Sequence, residues 1–283
     1  MKRLFILLPL LLLPAQLRAA TIEVDILFAD RFRPHVQVIK TLKPLLRADD
    51  VRLFAAREDG NLDDERAQLG HIIKRHPDLL IVVGEDALQA ALAVSPSIPV
   101  LSVMSMSLHA QLQRNNPWLT GIDMRPPPER VARDLASLLP RGATVLSYYT
   151  PALSRTYIDA VRARMRDQHL VLAAQPWPED KVAAHLLADM QQSDAYWMQL
   201  EYASAEPDVL RLLFALSHQG KTLIGLSEKY VRAGARATWA VDLEGLGRQA
   251  AAMANRILRG TPPAQLPLAH PERIRFIQQV ERP

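Results

Sequence analysis

The sequence predicts an α/β protein of two doubly wound, parallel-sheet lobes joined by a hinge, and three observations lead there. Strand-like and helix-like hydrophobic patterns alternate along most of the 283 residues. The run Leu79 to Val83, closed by Gly84, is continuously apolar, as a strand covered on both faces must be. A proline cluster at Pro126, Pro127 and Pro128 then divides the alternation into two halves, each roughly 100 residues, an ordinary size for a folding unit.

Taken in order, residues 22–28 read as a strand. Residues 35–47 place Val36, Ile39, Leu42, Leu45 and Leu46 on one helical face. A strand at 51–54 and an amphipathic helix at 63–75 follow, the helix turning Leu69, Ile72 and Ile73 inward. After the strand at 79–83 come a helix at 85–94 and a strand at 98–103. Residues 118–128 combine a short strand with the prolines and read as an interlobe crossover. The second half repeats the scheme, with helices at 129–139, 154–169, 181–191 and 207–219 and strands at 144–148, 170–174, 195–200 and 222–226. A helix at 246–258, a proline-rich stretch at 261–267 and a strand near 274–280 complete the chain.

Composition sets limits on function. Hydrophobic residues at 49% and charged residues at 23% indicate ordinary globular segments, not a low-complexity chain. With no cysteine there is no disulfide framework, thiolate zinc site, iron–sulfur cluster or cysteine nucleophile. Lys2 and Arg3 precede an apolar run from Leu4 to Leu13 and the small pair Ala19 and Ala20, the pattern of a cleavable signal peptide over residues 1–20. The run is about half the length of a membrane span. No cysteine follows it to carry a lipid, so the expected location is the periplasm of a Gram-negative cell, as a protein that is not a lipoprotein. Loss of Lys2, Arg3 and Arg18 with the signal lowers the formal charge from +4 to +1, which removes the argument for a nucleic-acid partner.

No catalytic signature emerges. The segment from Gly225 to Lys229 lacks the second glycine of a nucleophile elbow. The eight histidines are not spaced to share a metal on one helix face, and the glycines at 245 and 247 lack the third that a dinucleotide fingerprint needs. The sequence therefore predicts no catalytic residue, no metal and no cofactor. What remains is topology: in open α/β sheets, ligands gather beyond the carboxyl ends of the strands. Those ends nominate Phe28, Asp30, Gly84, Glu85, Asp86 and Ser105 in the first half. In the second they nominate Tyr148, Tyr149, Gln199, Glu201 and Glu228.

Several motifs occur in the order of one family. They include Asp78 to Gly84, Ser97 to Val100, Leu119 to Ile122, Leu138 to Pro140, Ser227 to Ala235 and Leu246 to Ala251, followed by Ile257 to Gly260. The chain resembles the ABC-transporter substrate-binding proteins that include tryptophan- and phenylalanine-type members, over residues 22–280. The resemblance implies a type I periplasmic-binding-protein-like fold with three crossovers. It implies one lobe of residues 21–122 plus 240–265 and a second of 123–239 plus 266–283, with a small-molecule ligand held between them. Gly84 with its following helix start, and Asp242, carry over as binding positions. Glu85 and Asp86 at that helix start oppose a ligand carboxylate and point to a cationic or neutral ligand. The expected partner of this monomer is an inner-membrane permease. A sensory module coupled to a histidine kinase or outer-membrane receptor is the alternative, and an exported enzyme the third reading.

Overall fold

The computed structural model describes residues 21–29, 33–56, 62–94, 97–112 and 116–279. Residues 1–20, where the sequence predicts a signal peptide, lie outside the described residues, as do Asp30 and Val280.

The first half forms a parallel five-stranded sheet. Its strands are β1 (Glu23–Ala29), β2 (Asp50–Ala56), β3 (Leu79–Val83), β4 (Val100–Ser105) and β5 (Leu119–Asp123), in the spatial order β2-β1-β3-β4-β5. Helices α1 (Arg33–Leu42), α2 (Leu62–Arg75), α3 (Glu85–Val94) and α4 (Leu108–Leu112) connect them. Alternation along β1 sends Val24, Ile26 and Phe28 into one core and Leu27 into the core on the other face. All five residues of β3 are buried, which explains its uninterrupted apolar run.

The second half contributes α5 (Pro128–Leu138), β6 (Thr144–Tyr149), α6 (Pro151–Asp167), β7 (Val171–Pro176), α7 (Val182–Gln191) and β8 (Ala195–Trp197). It continues with α8 (Pro207–His218), β9 (Thr222–Gly225), α9 (Glu228–Arg232) and β10 (Ala237–Val241). These strands and the late β11 (Ile274–Gln278) form a six-stranded sheet in the order β11-β10-β9-β8-β6-β7. Only the β10–β11 pairing is antiparallel. Between β10 and β11 the chain returns to the first lobe as α10 (Leu243–Leu258), which adds Leu246, Ala250, Ala254 and Ile257 to the core beneath α1. A Cβ at Gly247 would lie 2.8 Å from the Thr41 Cβ and from the Val38 carbonyl, so this close approach of α10 to α1 needs glycine. The chain thus crosses between the lobes after β5, after β10 and again before β11. Leu266 is still in the first core, and Ala269 bridges to Ile122.

Three differences from the expected elements have local causes. The first helix stops at Leu42, because Pro44 falls in a 3-10 turn at Lys43–Leu45. The helix expected from residue 154 starts earlier, at Pro151, a residue suited to a first helical position. Strand β10 and the five-residue helices α4 and α9 were not anticipated, being too short to show a period.

Candidate ligand-binding cleft

A cavity of about 690 Å³ opens between the lobes at the carboxyl ends of the strands. Gly84, Met104 and the start of α3 wall it on the first lobe. Trp197, Gln199 and Trp239 wall it on the second, and Met124, Arg125 and Pro126 of the first crossover lie between.

Two backbone features shape the first wall. Gly84 has φ +100°, and a Cβ there would sit 2.5 Å from Cε1 of His35, another lining residue. Met104 is held in the left-handed region at φ +63°, where the pairing of β4 with β5 shifts register between Val103 and Ser105. Such a conformation costs a residue with a Cβ roughly 1–2 kcal/mol. The irregularity re-aims side chains at the end of a strand, and Met104 lines the cleft.

The crossover is fastened by a buried ion pair. Nε and Nη2 of Arg125 donate to the Asp123 carboxylate, at 2.9 Å to Oδ1 and 2.5 Å to Oδ2. Nη2 also donates to the Met106 carbonyl of the first lobe at 2.8 Å, and Nη1 to the Ser154 hydroxyl of the second at 3.2 Å. The guanidinium carbon lies 4.1 Å from the centroid of the Tyr157 ring, and the Arg125 carbonyl contacts Nδ1 of His270 on the third crossover at 2.9 Å. Burial works against the charge of Arg125, but Asp123 overcomes it and holds the guanidinium pKa above its ordinary value. One side chain thereby joins both lobes.

The acidic groups of the cleft are largely engaged within the protein. Both oxygens of Glu85 accept internal hydrogen bonds, from the backbone N–H of Met106 and Ser107, the Ser107 hydroxyl and the Gln89 amide. The buried Glu201 accepts from the Thr150 N–H at 2.7 Å and the Ser154 hydroxyl at 2.5 Å. Gln199 donates to the Ser147 hydroxyl at 2.8 Å. Glu228 at the opposite wall faces Arg275 at 3.1 Å, and Asp86 lies half-buried beside Glu85.

Of the positions nominated by sequence, Gly84, Glu85, Asp86, Gln199, Glu201 and Glu228 line the cleft together. Phe28, Ser105, Tyr148, Tyr149 and Asp242 do not. Phe28 packs in the first core, and Ser105 is buried with its hydroxyl 2.7 Å from that of Ser102. Tyr148 and Tyr149 point to opposite faces of their sheet, and helices cover both. Tyr148 donates to Asp189 at 2.6 Å. Asp242 caps α10, accepting from the Gly245 N–H at 3.0 Å. The residues that sequence reasoning missed are Arg125, Tyr157, Trp197, Trp239, Met124 and Met198. A strand-terminal Asp123 two residues before Arg125, on a proline-rich crossover, was the available signal. Among the described residues, no cluster of three or more histidines or carboxylates could hold a metal ion, and no helix is long and apolar enough to cross a membrane.

Residues 42–279 match the family model described as ABC transporter substrate binding protein. No curated protein sequence matches the chain. Among solved structures, the ABC domain in complex with L-Trp from Streptococcus pneumonia is 17% identical, with 89% of each chain covered and a TM-score of 0.65. The ligand-free, open structure of a substrate binding protein with adhesive properties from Clostridium difficile is 15% identical over 91% of this chain and 92% of that one, with a TM-score of 0.67. An arabinose binding protein from Geobacillus stearothermophilus is 13% identical over 92% of this chain and 97% of that one, with a TM-score of 0.64. At these identities the likeness shows the shared two-lobed fold.

Proposed function

The chain belongs to the ABC transporter substrate binding protein family, and on that premise we propose that it captures a small solute between its lobes outside the cytoplasm and delivers it to a membrane permease. The observation that carries this reading is the cleft itself, walled by both lobes and spanned by the crossover that holds Arg125. Bending at the crossovers would bring the two walls together, expel water and present a composite surface to the permease. We assign one lobe to residues 21–123 plus 243–269 and the other to 128–241 plus 274–279, moving the expected boundaries because β10 pairs within the second sheet and Leu266 and Ala269 pack on the first. Ligand contacts fall to Gly84, Gln199, Glu201, Trp197 and Trp239. Export rests on the signal-like residues 1–20.

A thermal-shift screen of amino acids, amines, nucleosides and sugars tests the reading, because a ligand that binds only the folded protein raises its melting temperature. A hit should be stoichiometric, leave the ligand chemically unchanged and reduce the radius of gyration in solution scattering. Turnover of the ligand, or binding without compaction, would overturn it.

A further inference from the structure

Resting on the reading of the cleft as a solute site, we infer that its ligand is predominantly apolar and carries no carboxylate, and that Glu85 is the residue that keeps carboxylates out. The donors that Met106, Ser107 and Gln89 present beside the start of α3 are already taken. The Met106 and Ser107 N–H groups donate to Oε2 of Glu85 at 2.8 and 3.1 Å, while the Ser107 hydroxyl and the Gln89 amide donate to Oε1 at 2.5 and 2.6 Å. An anion of the protein fills the place where a ligand anion would find those donors. A second carboxylate beside it would face a like charge in a partly desolvated cleft.

The lining supplies the second observation. Four of the eight methionines of the chain, Met104, Met106, Met124 and Met198, line the cleft, alongside Trp197 and Trp239. They come from three separate segments: the end of β4, the first crossover and the residue after β8. Thioethers adapt to irregular apolar shapes and contact aromatic rings favourably. Met104 reaches the cleft from a left-handed backbone at a register shift, a strained arrangement of the kind retained where it serves a binding surface.

Lys229 and Arg232 also line the cleft, but with Arg125 they make three cations against the four carboxylates Glu85, Asp86, Glu201 and Glu228, and several of the other polar groups are spent within the protein. One N–H of the Gln199 amide goes to Ser147, leaving its other N–H and its carbonyl, and the Thr238 hydroxyl goes to the Gly225 carbonyl. Arg125 has one N–H beyond those it gives to Asp123, Met106 and Ser154, and its charge is offset by Asp123. Each oxygen of Glu201 takes one internal donor and keeps a second lone pair. This remainder fits one N–H or ammonium donor on an apolar frame. The hydroxyls of a sugar would have thioethers and indoles for most of their neighbours.

Indole, tryptamine and L-tryptophan share a ring system and differ in head group, and D-arabinose supplies a polyhydroxylated comparison. In isothermal titration, indole or tryptamine should bind at least tenfold more tightly than L-tryptophan, with no binding of D-arabinose. Glu85→Ala should narrow the ratio of tryptamine to L-tryptophan affinity at least tenfold, in a variant whose circular dichroism and cooperative melting show it folded. Should that variant not fold, Glu85→Gln, which keeps the shape and removes the charge, is held to the same criterion. Equal or tighter binding of L-tryptophan by the unaltered protein, tightest binding of D-arabinose, or an unchanged ratio in a folded variant overturns the inference. Binding of L-tryptophan or D-arabinose with compaction would overturn the ligand class and leave the solute-binding reading standing. Failure of all four to bind also overturns the ligand class, and the broad screen then decides the solute-binding reading by itself.

Discussion

The guanidinium of Arg125 is seated on the ring of Tyr157, 4.1 Å from its centroid, so a side chain of the first crossover rests on a helix of the second lobe. Its ion pair with the fully buried Asp123 and its bond to the Met106 carbonyl tie the same side chain to the first lobe. The hinge region is therefore a packed, charged joint.

Removing the cation from this joint should be severe. Arg125→Met leaves the Asp123 carboxylate buried without its partner, a change that costs about 3–5 kcal/mol. Urea denaturation should show the loss, and adding Asp123→Asn should recover part of it. A midpoint unchanged by Arg125→Met would contradict the buried pair.

Gly84→Ala should lower both stability and ligand affinity. The new methyl would collide with the His35 ring, and φ +100° is unfavourable for any residue with a Cβ. Melting curves should show His35→Ala relieving the collision but leaving the backbone strain, so rescue in the double variant should be incomplete.

Asp242 provides a test by pH. The Gly245 N–H, chief among its causes, holds the Asp242 carboxyl below its ordinary value of 3.8; slight burial opposes this, and Arg248 and Arg273 assist it. A depressed native pKa means that the stabilisation is present above the unfolded value and is lost as pH falls through the native one. Asp242→Ala should therefore cost about 1 kcal/mol at neutral pH, the usual worth of a helix cap. Its melting temperature should converge on that of the unaltered protein below pH 3.8.

Glu201→Gln should weaken binding of any ligand that donates to this carboxylate by about ten- to a hundredfold, the worth of a hydrogen bond to a charged group. The amide oxygen can accept from only one of the two donors, the Thr150 N–H or the Ser154 hydroxyl, so melting temperature should fall modestly, by the worth of about one buried hydrogen bond. A large loss of stability with unaltered affinity would make Glu201 a structural residue only.

The architecture was legible because strands such as β3 are short, continuous and flanked by helices with clear periods. The cleft was only partly legible. The carboxyl-end rule located Gly84, Glu85, Gln199 and Glu201, but it names a strand end and does not say which of two alternating side chains faces the ligand. Tyr148 and Tyr149 both lie at such an end, yet helices on either face of the sheet cover them. Arg125 escaped notice for a different reason: a buried cation leaves no periodic trace, and its role depends on Ser154 and Tyr157 being brought across from the other lobe. Glu85 was nominated from its strand end, but most of the donors that hold it come from a loop some 21 residues away.

The return of α10 to the first lobe has a consequence for how the chain can be made. Val38, Leu42 and Ile81 share a core with Leu246, Ala250 and Ile257, which are synthesised only after β10 of the second lobe. The first lobe therefore cannot finish its core as it emerges, and an apolar face of α1 and β3 must wait, open to aggregation, for residues encoded late. A fragment ending before Leu243 would keep that face uncovered permanently, so the two lobes are separable in space but not along the message.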